Sequence, residues 1–162
     1  TIANSRLRTS KSGRNIKSSH IYLPLIDKLK KNKNYKLELI NPNNVINKEI
    51  RHYIMKSDIV LDMLSFGWYG ATSREALMLG KPVICYLNPS WLKRVENKFP
   101  KLVQEMPIIS ANENNIEEKL IYLIENPELR KEIGRKSRKF ALKWHSTKSA
   151  IKYFKDFYYK LN

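Results

Sequence analysis

The chain is poor in cysteine, in glycine and in acidic residues, and each shortage excludes something. A single cysteine, Cys85, leaves no internal disulfide to staple the fold. It sits in the run Val83-Ile84-Cys85-Tyr86, where a thiol acts as a small buried hydrophobe rather than a nucleophile, and a cytoplasmic setting is expected. No apolar stretch approaches the roughly 18–20 residues that a membrane-spanning helix needs. No leader with a basic head and an apolar middle is visible. The first residue is Thr1 rather than Met, so the chain reads as a piece of a longer protein. The three histidines, His20, His52 and His145, stand at no metal-ligand spacing and point to no nucleophile–base pair. No metal site is expected, and each histidine reads as local structure.

Acidic residues are outnumbered 15 to 31 by Lys and Arg, a formal net charge of +16. The excess is confined to the two ends. Residues 1–35 carry nine basic side chains against one acidic, residues 126–162 carry eleven against three, and residues 36–125 carry eleven of each. Basic ends suit a phosphorylated ligand, an anionic membrane surface or nucleic acid. The neutral middle and the absence of any nucleic-acid motif count against the last. Lys, Asn and Ile together make up a third of the chain, so compositional bias is the competing origin of the charge.

What is present is an alternation of helix and strand within the length of one domain, residues 1–162. Residues 1–16 read mostly as loop. From Lys17 to Lys31, Tyr22, Leu25, Ile26 and Leu29 recur at helical spacing, with Pro24 expected to kink that helix or mark its true start. Lys36–Ile40 reads as a strand and Asn47–Lys56 as a helix. Asp58–Asp62 is a continuous apolar run between polar ends, as a buried parallel strand would be. A loop with Gly67 and Gly70 follows, then a helix from Ala71 to Leu79 stopped by Gly80. Strands are expected at Pro82–Leu87 and Pro107–Ser110. Closing helices follow from about residue 113, the second opened by Asn126-Pro127-Glu128 and running to Trp144, the third capped by Ser146 or Thr147. The pattern predicts an α/β, Rossmann-like doubly wound parallel sheet, whose ligands bind at the carboxyl ends of the strands.

The segment Asp62 to Glu75 therefore matters most. A strand, a glycine-containing loop and a helix N-terminus form an anion site, because backbone N–H groups and the helix dipole point outward there. Glu75, on the first turns of that helix, either accepts hydrogen bonds from ribose hydroxyls or simply stabilises its own helix. Trp68 and Tyr69 either stack on a ligand or anchor the loop by packing.

Phe66-Gly67 followed by Glu75-Ala76-Leu77-Met78-Leu79-Gly80-Lys81-Pro82-Val83 resembles the donor-site signature of family-4-type retaining glycosyltransferases. Ser57-Asp58-Ile59-Val60 is similar to the Ala-Asp-Ile/Val segment of that family, and Asn126-Pro127-Glu128-Leu129-Arg130, with Gly134 and Arg138, to its closing helices. The resemblance runs from about residue 14 to the C-terminus. It implies the C-terminal lobe of a GT-B architecture, with a nucleotide-diphosphate sugar as donor substrate and an N-terminal acceptor lobe as partner. Glu75 matches the ribose-binding Glu of the family's Glu-x7-Glu pair. The first Glu of that pair falls at Gly67, so contacts to the donor would rest on the backbone of Gly67, Trp68, Tyr69, Gly70 and Ala71. Ser12-Gly13-Arg14-Asn15-Ile16-Lys17-Ser18 is similar to the family's basic loop, in which Arg14 and Lys17 would contact the diphosphate and stabilise it as it departs. No cofactor is obligatory on this reading. A sugar-nucleotide epimerase of the same architecture and a basic phosphate- or nucleic-acid-binding module are the alternatives. A position at the inner face of the membrane would suit the basic ends.

Overall fold

The computed structural model describes Asn15 and residues 17–32, 34–42 and 45–159. Within them lie eight helices and three strands: α1 (Ser19–Lys30), α2 (Asn47–Lys56), β1 (Val60–Leu61), α3 (Ala71–Met78), β2 (Val83–Cys85), α4 (Pro89–Lys98), α5 (Pro100–Glu105), β3 (Ile109–Ser110), α6 (Ile116–Glu125), α7 (Pro127–Trp144) and α8 (Thr147–Tyr158). The strands form one small open parallel sheet in the order β1-β2-β3. This mixed α/β arrangement is compatible with a Rossmann-like fold.

Successive strand residues point to opposite faces, and here they feed two separate cores. Leu61 and Ile84 join Tyr22, Leu25, Ile26 and Leu29 of α1 and Ile116, Leu120 and Leu123 of α6. Val60, Val83 and Cys85 join Ile54 of α2, Ala76 and Leu77 of α3 and Phe140 of α7 on the other face. Both faces are therefore covered, which is why the strands read as continuous apolar runs.

Local chemistry sets the helix ends. Gly80 at φ 68° closes α3, with Gly80 N bonded to Leu77 O at 3.0 Å and Lys81 N to Ala76 O at 2.9 Å. That pair of bonds is a Schellman motif, and only glycine enters its left-handed position without strain. Ser146 caps α8 through Ser149 N at 3.2 Å. Pro24 lies inside α1 and does not mark its start, which is at Ser19. Two helices are additional to the expected set. Asn88 caps α4 by accepting from Ser90 N (2.9 Å) and Trp91 N (3.3 Å), with Pro89 in the first turn, and α5 follows directly.

The strand expected at Lys36–Ile40 is not one. Tyr35, Leu37 and Leu39 are half-buried and pack on the first core. Among the described residues no strand pairs with its backbone, and a cavity of about 360 Å³ lined by Leu37, Leu39, Ile59 and Leu61 lies beside it. No helix among the described residues is long and apolar enough to cross a membrane. α8 stands apart from both cores, with Tyr153 57%, Phe154 66% and Tyr158 71% exposed.

Candidate functional site

The N-termini of α1 and α3 converge where β1 ends, and Asp62 sits between them. Its carboxylate is buried, and three groups meet it: Lys17 Nζ lies 3.2 Å from Oδ1, while Ser73 Oγ (2.6 Å) and, more weakly, the Gly70 amide (3.4 Å) donate to Oδ2. The Tyr22 hydroxyl donates to the Asp62 backbone carbonyl, and burial followed by the Asp62 charge holds that phenol well above its ordinary pKa. Lys17 is also within 3.4 Å of Thr72 Oγ1, in the first turn of α3. Ser18, in the left-handed region at φ 56°, accepts from Leu64 N at 3.0 Å and ties the start of α1 to the loop after β1.

Lys17 is therefore an interior side chain, where the sequence read it as a cation on a loop. Its ammonium is aimed at the first turn of α3 by a carboxylate 45 positions away. Asp62 offsets its charge, so a doubly charged diphosphate here would need a further cation. Arg14, the second expected cation, lies outside the described residues. Asp62 itself was missed as a site residue. The signal for it was a carboxylate directly ending an apolar strand, a position that forces burial and hence a partner.

The other expected residues lie on the loop after β1 and on α3. Ala71 and Glu75 are both exposed and, four residues apart, share one face of α3. The first intrahelical bond there is Arg74 N to Gly70 O at 3.2 Å, so the amides of Ala71, Thr72 and Ser73 precede the helical ladder. Gly67 is buried at φ 102°, and an added Cβ would come within 3.0 Å of Asn88 Cβ. A side chain there would be strained by that backbone conformation and crowded by Asn88.

Trp68 and Tyr69 stack on each other, 5.1 Å between centroids. Tyr69 is buried in the second core, with its hydroxyl 3.1 Å from His145 Nε2, and so anchors the loop to the end of α7. Burial pushes the Tyr69 phenol up to about 12. Burial, and then Arg74, holds the His145 imidazole below its ordinary value. The stability consequence follows from the sign. An unfolded histidine takes its proton near pH 6.5, before the folded one does, so acidification through that value favours unfolding until the folded imidazole also protonates. Denaturation midpoints should therefore fall between about pH 7 and pH 5, and His145→Gln should flatten that part of the profile. An unchanged slope in the variant would assign the fall to other groups.

Cys85 is buried, with its thiol donating toward Met63 O at 3.3 Å, and burial raises its pKa far above the usual thiol value. Such a thiol is not a nucleophile. Among the described residues, no group of three or more His, Cys, Asp or Glu is placed to hold a metal ion.

No protein-family model matches the chain. Over 101 residues it is 32% identical to trehalose synthase of Pyrococcus horikoshii, a match that covers 62% of this chain and 23% of that protein. The chain thus spans less than a quarter of that relative, and the likeness is a distant, partial one to a sugar-active enzyme.

Proposed function

We propose that this chain is the donor-binding lobe of a two-lobed, GT-B-type retaining glycosyltransferase, taking a nucleotide-diphosphate sugar. The observation that carries the reading is the convergence of α1, α3 and the Lys17 ammonium at the carboxyl end of β1, with Glu75 on the exposed face of the same helix. Partial likeness to a sugar-active enzyme supports it. In this proposal the diphosphate lies against the first-turn amides of α3, where the helix dipole favours negative charge. Arg14 supplies the charge that Asp62 removes from Lys17. Glu75 accepts from the ribose hydroxyls. The backbone from Gly67 to Ala71 shapes the floor.

In transfer, the bond from the anomeric carbon to the diphosphate oxygen breaks as a bond to the acceptor hydroxyl oxygen forms on the same face of the sugar. The acceptor proton passes to the departing phosphate oxygen. Lys17 and Arg14 lower the barrier by stabilising the charge that collects on the diphosphate. No cofactor or metal is invoked. The acceptor would come from an N-terminal lobe, and the uncovered face of α8 and the open carboxyl end of the sheet are the surfaces available to that lobe.

Thermal unfolding with UDP, GDP, ADP and CMP tests the reading. One nucleotide should stabilise the chain, by about 2.7 kcal/mol at a hundredfold excess over its dissociation constant. Glu75→Ala, at an exposed position, should leave the unliganded midpoint in place and reduce that shift. No shift with any nucleotide in a folded sample overturns the proposal. A shift that disappears as salt is raised and is the same for all four would favour a general phosphate-binding module.

A further inference from the structure

Serine is among the commonest residues to open a helix, and Ser18 opens α1 in an unusual way. An N-cap serine ordinarily has an extended backbone and accepts a hydrogen bond from an amide of its own first turn. Ser18 does neither. Its backbone is left-handed, at φ 56° and ψ 23°, and its hydroxyl caps no amide of α1. The hydroxyl accepts instead from Leu64 N, 46 positions away, at 3.0 Å, and lies 3.5 Å from Ser65 Oγ. Among the described residues, Ser18 is the only one other than glycine with positive φ.

A left-handed backbone is strained for serine and unstrained for glycine. Glycine would relieve the strain here but would bring no hydroxyl. Strained residues persist where the surrounding structure holds them, and they gather at ligand sites. The surroundings do hold this one. Ser18 is fully buried, its amide donates to Asn15 O at 3.1 Å, and its carbonyl accepts from Ile21 N at 3.0 Å.

The bond to Leu64 runs alongside the Lys17–Asp62 ion pair. Ser18 follows Lys17 directly, and Leu64 stands two residues beyond Asp62, so the two interactions close one small ring of chain. Within that ring the Lys17 ammonium lies 3.2 Å from Asp62 Oδ1 and 3.4 Å from Thr72 Oγ1. Loss of the Ser18 hydroxyl would free the start of α1 to shift against the loop after β1, and the ammonium would shift with it. We infer, on the donor-site reading above, that Ser18 is a positioning residue of the diphosphate site, holding the Lys17 ammonium at the first turn of α3. Its own side chain is buried and meets no ligand. A hydroxyl that only satisfied the buried Leu64 amide would stabilise the fold and leave nucleotide affinity alone.

Calorimetric titration of the 162-residue chain with UDP, GDP and ADP separates the two roles, using whichever of these binds the parent most tightly. Ser18→Gly removes the hydroxyl and relieves the backbone, so its thermal midpoint should stay within about 2 °C of the parent's. Its nucleotide affinity should nevertheless fall about tenfold. Ser18→Ala, which lacks the hydroxyl and keeps the strain, should lose the same affinity and melt about 2–4 °C below Ser18→Gly. In a Lys17→Met background, where no ammonium is left to aim, Ser18→Gly should change affinity by less than about twofold. Parental affinity in both Ser18 variants, or an equal loss with and without Lys17, overturns the positioning role and leaves the donor reading standing. Failure of all three nucleotides to bind the folded parent overturns the donor reading and the positioning role with it.

Discussion

Replacing Asp62 by alanine should lower the unfolding free energy by about 3–5 kcal/mol, the range found when one partner of a buried ion pair is removed. The Lys17 side chain is 6% exposed and the Asp62 side chain 1% exposed, so the ammonium left behind has little water to turn to. The Ser73 hydroxyl would lose its acceptor in the same step. Lys17→Met should cost less, because the stem keeps its packing and the carboxylate keeps Ser73 and Gly70. Measured together, Lys17→Met with Asp62→Ala should be more stable than the sum of the single losses predicts, which is the mark of two groups that act on each other. Urea denaturation of the four proteins at one pH decides the matter. An Asp62→Ala variant as stable as the parent would mean that the ammonium escapes to solvent.

Gly134→Ala should destabilise the protein by about 2–3 kcal/mol, toward the upper end of the cost of overpacking. The direction is the informative part. Gly134 lies inside the long helix α7, where alanine is ordinarily better than glycine by about 1 kcal/mol. Here an added Cβ would stand 2.4 Å from the Gly80 carbonyl oxygen, which belongs to the tight turn closing α3 and cannot rotate aside as a side chain would. Arg138, one turn along α7, donates to Met78 O at the same end of α3, so the two helices meet backbone to backbone and are pinned there. At about 2–4 °C per kcal/mol for a chain of this size, the thermal midpoint should fall by about 4–12 °C. A rise in midpoint would show that α7 stands off from α3 in solution.

Much of this fold is legible in the sequence wherever the signal is local. The Asn-Pro-Glu start and the length of α7 come directly from its residues, and Gly80 marks the end of α3. The same Asn-Pro signature at Asn88-Pro89 opens α4, where Trp91, Leu92 and Val95 recur at helical spacing, although neither α4 nor α5 buries a residue fully. The segment from Lys36 to Ile40 shows the opposite failure. Its alternation is real and its apolar side chains do pack, but a strand also needs a neighbour for its backbone, and periodicity carries no information about that. The site divides in the same way. The loop after β1, the start of α3 and Glu75 form one contiguous stretch of sequence. The pairing of Lys17 with Asp62 and the bond from Leu64 N to Ser18 are products of the folded chain, and no motif spacing encodes them.

The two cores on either side of the sheet have a consequence for how the strands find one another. Strands of two or three residues make too few ladder bonds to define their own alignment. If β2 slipped by one residue against β1, Ile84 would be carried to the face of Phe140 and Leu77, and Val83 or Cys85 to the face of α1 and α6. Such a slip would exchange the contents of both cores at once. It would also draw the Cys85 thiol away from Met63 O. Alignment is thus enforced by the volumes of the side chains above and below the sheet, and hydrogen bonding along its edges only records the result.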